Sequence, residues 1–289
     1  MQKTKIEWCD STWNPITGCL HDCKYCYARK IANRFKGSSH QNKIYAIQNC
    51  ELKLYPSTGY GFYKNHDIVN PVKDSKENIV PYPFNFNPTF HHYRLNEPAK
   101  KTKEQNIFVC SMADLFGDWI PAEWIRLVWE ACTKADWHNY LFLTKNPKRY
   151  REIYRSELDY RCYMWFGATV TDNNSFLSLG DELYQVTGRN NKYHAKRFLS
   201  IEPLHGEIDI ANLMLCVQNF DWIIIGAETG NRKGKIIPQK KWIDSIVEEC
   251  KEVNIPIFMK DSLIPIMGEE NMFREFPEGV EEVSIGIIS

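Results

Sequence analysis

The residues with the clearest chemical capacity lie in Gly18-Cys19-Leu20-His21-Asp22-Cys23-Lys24-Tyr25-Cys26-Tyr27, where three cysteines are spaced C-x3-C-x2-C. Three thiolates on one short loop can bind three irons of a [4Fe–4S] cubane and leave the fourth iron without a protein ligand. A structural zinc site is the competing reading, with Cys9 or His21 as fourth ligand. Zinc sites are normally built from two separated ligand pairs, however, and this is one compact trio. The remaining cysteines, Cys9, Cys50, Cys110, Cys132, Cys162, Cys216 and Cys250, form no second C-x2-C. An auxiliary cluster is therefore not expected, and Cys132 and Cys250 read as small core residues.

Further reactive groups recur after short apolar runs. Ser111 and Asp114 follow Ile107–Cys110, and Thr144 and Lys145 end Tyr140–Leu143. Thr169, Thr171 and Asp172 close Met164–Val170, while Glu202 ends Arg197–Ile201. Glu228 follows Trp222–Gly226, and Lys260 and Asp261 follow Pro256–Met259. In barrels of parallel strands the reactive groups sit at the carboxyl ends of strands. Ser111, Asp114, Thr144, Lys145, Thr169, Glu202 and Glu228 are the expected lining set; for any one of them a loop cap or surface ion pair is the plain alternative. In Gly226-Ala227-Glu228-Thr229-Gly230 the glycines allow a ligand to approach the backbone closely, or simply make a tight turn.

Such groups need elements to position them. From residue 106 onward the apolar runs alternate with helical patterns, the sequence form of repeated βα units. Their continuous apolar character suits parallel strands covered on both faces. Pro121 opens a segment with Trp124, Leu127, Val128 and Ala131 at helical spacing. Trp242, Ile246, Cys250 and Val253 form another stripe, with Ile243 and Val247 beside it. A shorter pattern, Ala28, Ile31, Ala32 and Phe35, puts a helix directly after the cysteine loop. Residues 37–105 break the rhythm and read as an irregular insertion rich in Pro, Asn and aromatics. The expected fold is α/β, a partial (β/α) barrel of about six βα units, forming a single domain over residues 1–289.

Bulk composition narrows the function classes. The chain has 289 residues, 43% hydrophobic and 25% charged, with a formal net charge of zero, so it lacks the field of a protein that coats nucleic acid nonspecifically. Any anion-binding surface must be local. No apolar run is long enough to span a bilayer, and the N-terminus lacks a secretory pattern, so a cytoplasmic protein without membrane association is expected.

The motif Ile6-Glu7-Trp8 with Thr12-Trp13-Asn14-Pro15 before Gly18-Cys19 joins several others: Pro88-Thr89-Phe90-His91, Cys110-Ser111-Met112-Ala113-Asp114-Leu115-Phe116, Leu143-Thr144-Lys145-Asn146-Pro147, Leu199-Ser200-Ile201-Glu202-Pro203-Leu204 and Ile225-Gly226-Ala227-Glu228-Thr229-Gly230. Together, over nearly the whole chain, they resemble the phage- and prophage-associated three-cysteine family of radical S-adenosylmethionine (SAM) enzymes, whose members are largely of unknown function. The resemblance implies a radical SAM barrel, a [4Fe–4S] cluster on Cys19, Cys23 and Cys26, and SAM chelated to the open iron and cleaved reductively to a 5′-deoxyadenosyl radical. It also implies an electron donor such as flavodoxin or ferredoxin. Tyr25 would pack near the adenine. Ser111, Asp114, Thr144, Thr169 and Gly226 would contribute to SAM binding, and Lys145, Glu202 and Glu228 are the candidates for catalytic roles. The glycine-rich stretch that receives the SAM ammonium in such enzymes is replaced here by Ser111-Met112-Ala113-Asp114.

For the substrate, basic residues gather after two of the runs: Lys145, Lys148, Arg149, Arg151 and Arg155, then Arg232, Lys233, Lys235, Lys240 and Lys241. With insertion aromatics available for stacking, this pattern suits a nucleobase, nucleotide or nucleic acid. A small metabolite or peptide is the alternative for an enzyme, and a nucleic-acid-binding module with structural zinc is the alternative outside catalysis.

Overall fold

A computed structural model of the chain describes residues 1–36, 50–56, 62–151, 164–187, 196–209 and 220–280. In chain order the main elements are β1 (Gln2–Lys3), β2 (Ser11–Trp13), β3 (Ile16–Thr17), α1 (Tyr27–Arg34), β4 (Cys50–Pro56), β5 (Phe62–Ile68), β6 (Thr89–His91), β7 (Asn106–Val109) and α2 (Ala122–Thr133). They continue as β8 (Asn139–Thr144), β9 (Met164–Val170), α3 (Asp181–Thr187), β10 (Lys196–Ile201), β11 (Trp222–Ile225), α4 (Lys240–Glu252) and β12 (Ile257–Met259). Within the span that reads as one domain there are two compact units. The first comprises Met1–Lys3, Ser11–Glu104 and Phe108–His138; the second comprises Thr4–Asp10, Gln105–Ile107 and Asn139–Ser289.

The second unit holds the parallel strands. Starting from the first two residues of β7, the order is β7-β8-β9-β10-β11-β12, and every pair from β8 onward is parallel. This sequential order in a mixed α/β chain agrees with the expected partial barrel. The strands are almost wholly buried, which is why they read as unbroken apolar runs. Trp8 packs among Phe198 and Trp222, and Trp222 also meets Trp165, Phe258 and Phe276. Gly167 leaves room for the Phe198 ring, since a Cβ there would lie 2.3 Å from it. The Tyr150 hydroxyl donates to the carbonyls of Phe142 and Gly167, tying β8 to β9. Helix α4 turns Ile243, Ile246, Val247 and Cys250 inward. Trp242 and Val253, expected on that stripe, are only half-buried.

In the first unit, β1 pairs antiparallel with β2. Helix α2 starts after Pro121 as expected and buries Trp124, Ile125, Val128, Trp129, Ala131 and Cys132. The stretch expected to be irregular supplies three strands of a second sheet, ordered β3-β6-β5-β4, parallel between β5 and β6 and antiparallel elsewhere. Its strands escape a periodicity reading because β6 is three residues long and β5 carries Lys64, Asn65, His66 and Asp67 in succession. Four aromatics of residues 82–93 are packed within the protein. Tyr82, Phe86 and Phe90 are buried, and Phe84 stacks on His66 at 3.6 Å. Of the earlier aromatic stretch, residues 57–61 lie outside the described residues.

Candidate functional site

The cysteine loop is held from three sides within the first unit. Gly18 enters it at φ +90°, where a Cβ would lie 2.2 Å from the Asn87 carbonyl oxygen, so glycine is required both for conformation and for space. The Gly18 N–H donates to the Met112 carbonyl at 2.9 Å and the Cys19 N–H to the Phe86 carbonyl at 3.1 Å. Asn14 Oδ1 accepts from the Met112 N–H at 2.9 Å and from the Ser111 hydroxyl at 3.2 Å, fixing the segment after β7. That segment leaves β7 through Cys110 at φ +58°, a conformation that costs a non-glycine residue strain and tends to be kept at functional sites.

Asp114 and Ser111, both expected to line the site, reach the cysteine loop. His21 Nε2 lies 2.7 Å from Asp114 Oδ2, and Asp114 Oδ1 accepts the Phe116 N–H at 3.0 Å. The His21 ring also meets Trp119 edge-on at 4.8 Å. The Tyr27 hydroxyl donates to the Ser111 carbonyl at 2.8 Å. Cys26 caps α1, its sulfur accepting the Arg29 N–H at 3.3 Å. Cys19, Cys23, Cys26 and Tyr25 are all half-buried. Burial pushes the Cys19 thiol up to about 12, opposed by the His21 N–H and reinforced by Asp114, Cys23 and Cys26. An unligated Cys19 is therefore a neutral thiol, and metal binding must displace its proton.

The donor set suits an iron–sulfur cluster: three soft sulfurs on one loop, close enough to influence one another's charge, with backbone donors beside them. Among the described residues, no three or more His, Cys, Asp or Glu side chains are gathered so as to hold a metal ion. Cubane ligands bind three separate irons rather than converging on one ion.

In the second unit, the ends of β10, β11 and β12 bring carboxylates together with cations. Lys260 Nζ lies 2.6 Å from Glu202 Oε1 and 3.8 Å from Glu7 Oε2. Burial lowers the Lys260 pKa, but the two carboxylates outweigh it and hold the ammonium above its ordinary value. Both aliphatic stems pass Gly226, where a Cβ would meet Glu202 and Lys260 carbons at 3.1 Å. Glu7 also accepts the Asp261 N–H at 2.9 Å. One turn further on, Glu228 forms a two-pronged pair with Arg232, at 2.6 and 2.7 Å, with His205 Nε2 3.6 Å away. Arg232 foremost holds the Glu228 carboxyl below the usual range.

The other expected residues are placed less tellingly. Thr144 is buried and accepts the Asn146 N–H at 2.9 Å, a local turn bond. Lys145 and Thr169 are half-buried at the ends of β8 and β9. The basic groups are thinner than they read: Arg232 is committed to Glu228, Arg149 is buried, Lys240 pairs with Asp244, and Arg155 lies outside the described residues. Glu7 and His205 are not singled out as site residues by the sequence, Lys260 is read there only as a strand-end group outside the lining set, and His21 only as a possible zinc ligand. Their only signal there is a polar type next to a strand end or inside the cysteine loop.

A mixed α/β protein with sequential parallel strands, ion-paired carboxylates at their ends and an N-terminal three-cysteine loop is thus defined. The chain belongs to the family described as Protein of unknown function (DUF5131), whose profile matches residues 3–262. No curated protein and no solved structure matches it. Among the described residues no helix is long and apolar enough to cross a membrane.

Proposed function

We propose that the chain is a radical SAM enzyme that holds one [4Fe–4S] cluster through Cys19, Cys23 and Cys26 and acts on a nucleobase, nucleotide or nucleic acid. The observation that carries this reading is the braced three-cysteine loop, with Gly18, Asn14 and the His21–Asp114 pair fixing it from neighbouring segments. When bound, the cluster and SAM supply one-electron cleavage of a sulfonium and a carbon radical able to abstract hydrogen. The protein's own contribution is positional. Asp114 and Ser111 hold the loop, and half-buried Tyr25 offers a face for adenine; Gly226, proposed from sequence to meet SAM, is instead buried beneath the Glu202 and Lys260 side chains. In the second unit the Glu202–Lys260 ion pair orients a carboxylate that is proposed to accept a substrate hydroxyl. Glu228 and Lys145 are proposed to face substrate.

The exposed cations Lys148, Arg151, Lys233, Lys235 and Lys241 support a phosphate-bearing substrate. The neutralisation of Arg232 and Lys240 favours a second reading, a small metabolite or peptide. Anaerobic reconstitution with iron and sulfide followed by reduction tests the first claim. Wild type should release 5′-deoxyadenosine from SAM, and Cys19→Ala, Cys23→Ala and Cys26→Ala should each abolish it. Tight zinc and no SAM turnover would instead indicate a metal-stabilised binding module. Salt-sensitive binding of oligonucleotides separates the polymer from the metabolite.

A further inference from the structure

Helix α1 is amphipathic in reverse. Its inner face buries only Ala28 and Ala32, against Tyr82, Phe86 and Met112. The larger apolar side chains Tyr27, Ile31 and Phe35, spaced four apart and so on one stripe, are 48%, 38% and 51% exposed. Leu20, next to Cys19, is 39% exposed. A helix that served only its own core would turn these residues inward; grouped outward apolar residues with a polar rim mark an interaction surface.

The rim carries one sign. Between Gly18 and Lys36 the sequence holds Lys24, Arg29, Lys30, Arg34 and Lys36 against a single acid, Asp22, in a chain whose net charge is zero. Lys24, Lys30, Arg34 and Lys36 are exposed, and Asp22 faces Arg29 at 3.7 Å.

We propose that this face docks an acidic one-electron donor protein and that the electron enters here. The proposal rests on the cluster reading above. A protein is favoured over a nucleic acid because the middle residue of the stripe is the aliphatic Ile31, flanked along the helix by Lys30 and Arg34, and an apolar centre with a charged rim is the anatomy of protein interfaces. Single strands are held by stacked aromatics and phosphate contacts, in which an aliphatic centre plays no part. Location points the same way. The stripe begins at Tyr27, one residue after Cys26, which caps the helix, so its first turn adjoins the cysteine loop. In the step itself a reduced flavin of the donor loses one electron and the oxidised cluster gains it; no bond forms or breaks and no proton moves. Opposite charge speeds encounter without demanding a long-lived complex, which suits a donor that must leave.

The test uses reconstituted full-length protein, the double variant Lys30→Glu/Arg34→Glu and the single variant Ile31→Asp, with an acidic FMN-carrying flavodoxin as probe. Binding and cluster reduction by reduced flavodoxin should fall at least about tenfold in both variants, and in wild type on raising the salt. Reduction by dithionite, which needs no docking, should be the same in all three. Equal reduction by flavodoxin in wild type and variants overturns the proposal. So does loss of oligonucleotide binding or of self-association in the variants with flavodoxin reduction intact. A wild type that takes up no cluster defeats the cluster reading as well, and is recognised before any donor is added.

Discussion

Glu228 shows how a residue can be found by position and misjudged in its surroundings. Its place after β11 marks it as a strand-end carboxylate, yet the feature that defines it, the paired Arg232, lies four residues on in a run that reads as a free basic patch. The pair has a measurable signature. Because Arg232 holds the folded-state pKa of Glu228 below its ordinary 4.5, the ionised carboxylate stabilises the fold above that value. The contribution disappears as pH falls through the lower folded value. Glu228→Gln should therefore lower Tm by at least about 2 °C at pH 7, and the gap to wild type should close as the pH falls below 4.5 and through the lower folded value. Thermal unfolding of both proteins across that range checks the sign; a gap that widens in acid would contradict it. His21–Asp114 and Glu7–Lys260 were hidden for the same reason, since each joins residues remote in sequence and spacing carries no trace of them.

Elements were legible where one face of each is strongly buried. The strands β7 to β12 fall within a residue or two of the apolar runs, and α2 and α4 lie where helical spacing puts them. In α1 the period is right and the face is wrong: Ala28 and Ala32 are inside, but Ile31 and Phe35 are outside. Hydrophobicity alone does not say which apolar side is covered by the same chain. Strand β5 was illegible because it carries four polar residues in succession, and the order of β4 and β5 rests on their antiparallel pairing, which sequence spacing does not record. Helix α2 carries the opposite expectation from α1, since Trp124 is 1% exposed and packs 5.1 Å from Phe90. Trp124→Ala should cost about 3–5 kcal/mol, the range for emptying a buried aromatic site. Denaturant unfolding would measure it, and a loss below about 1 kcal/mol would mean the helix does not anchor the unit as described.

For the whole molecule, zero net charge with a local excess of cations fits a protein that meets charged partners at defined places rather than everywhere. The parallel order was foreseeable because apolar runs alternating in sequence with helical patterns leave few other topologies. The second sheet was not foreseeable, and of the aromatics read as available for base stacking it leaves Phe86 and Phe90 buried. What remains central is the fate of three thiols on a braced loop. The most direct measurement is Mössbauer and EPR spectroscopy of anaerobically reconstituted, reduced protein with and without SAM. The account predicts about four irons per chain, three held alike by thiolate and one distinct, with a spectrum that changes when SAM is added. A protein that binds zinc alone, or a cluster whose spectrum ignores SAM, would contradict it.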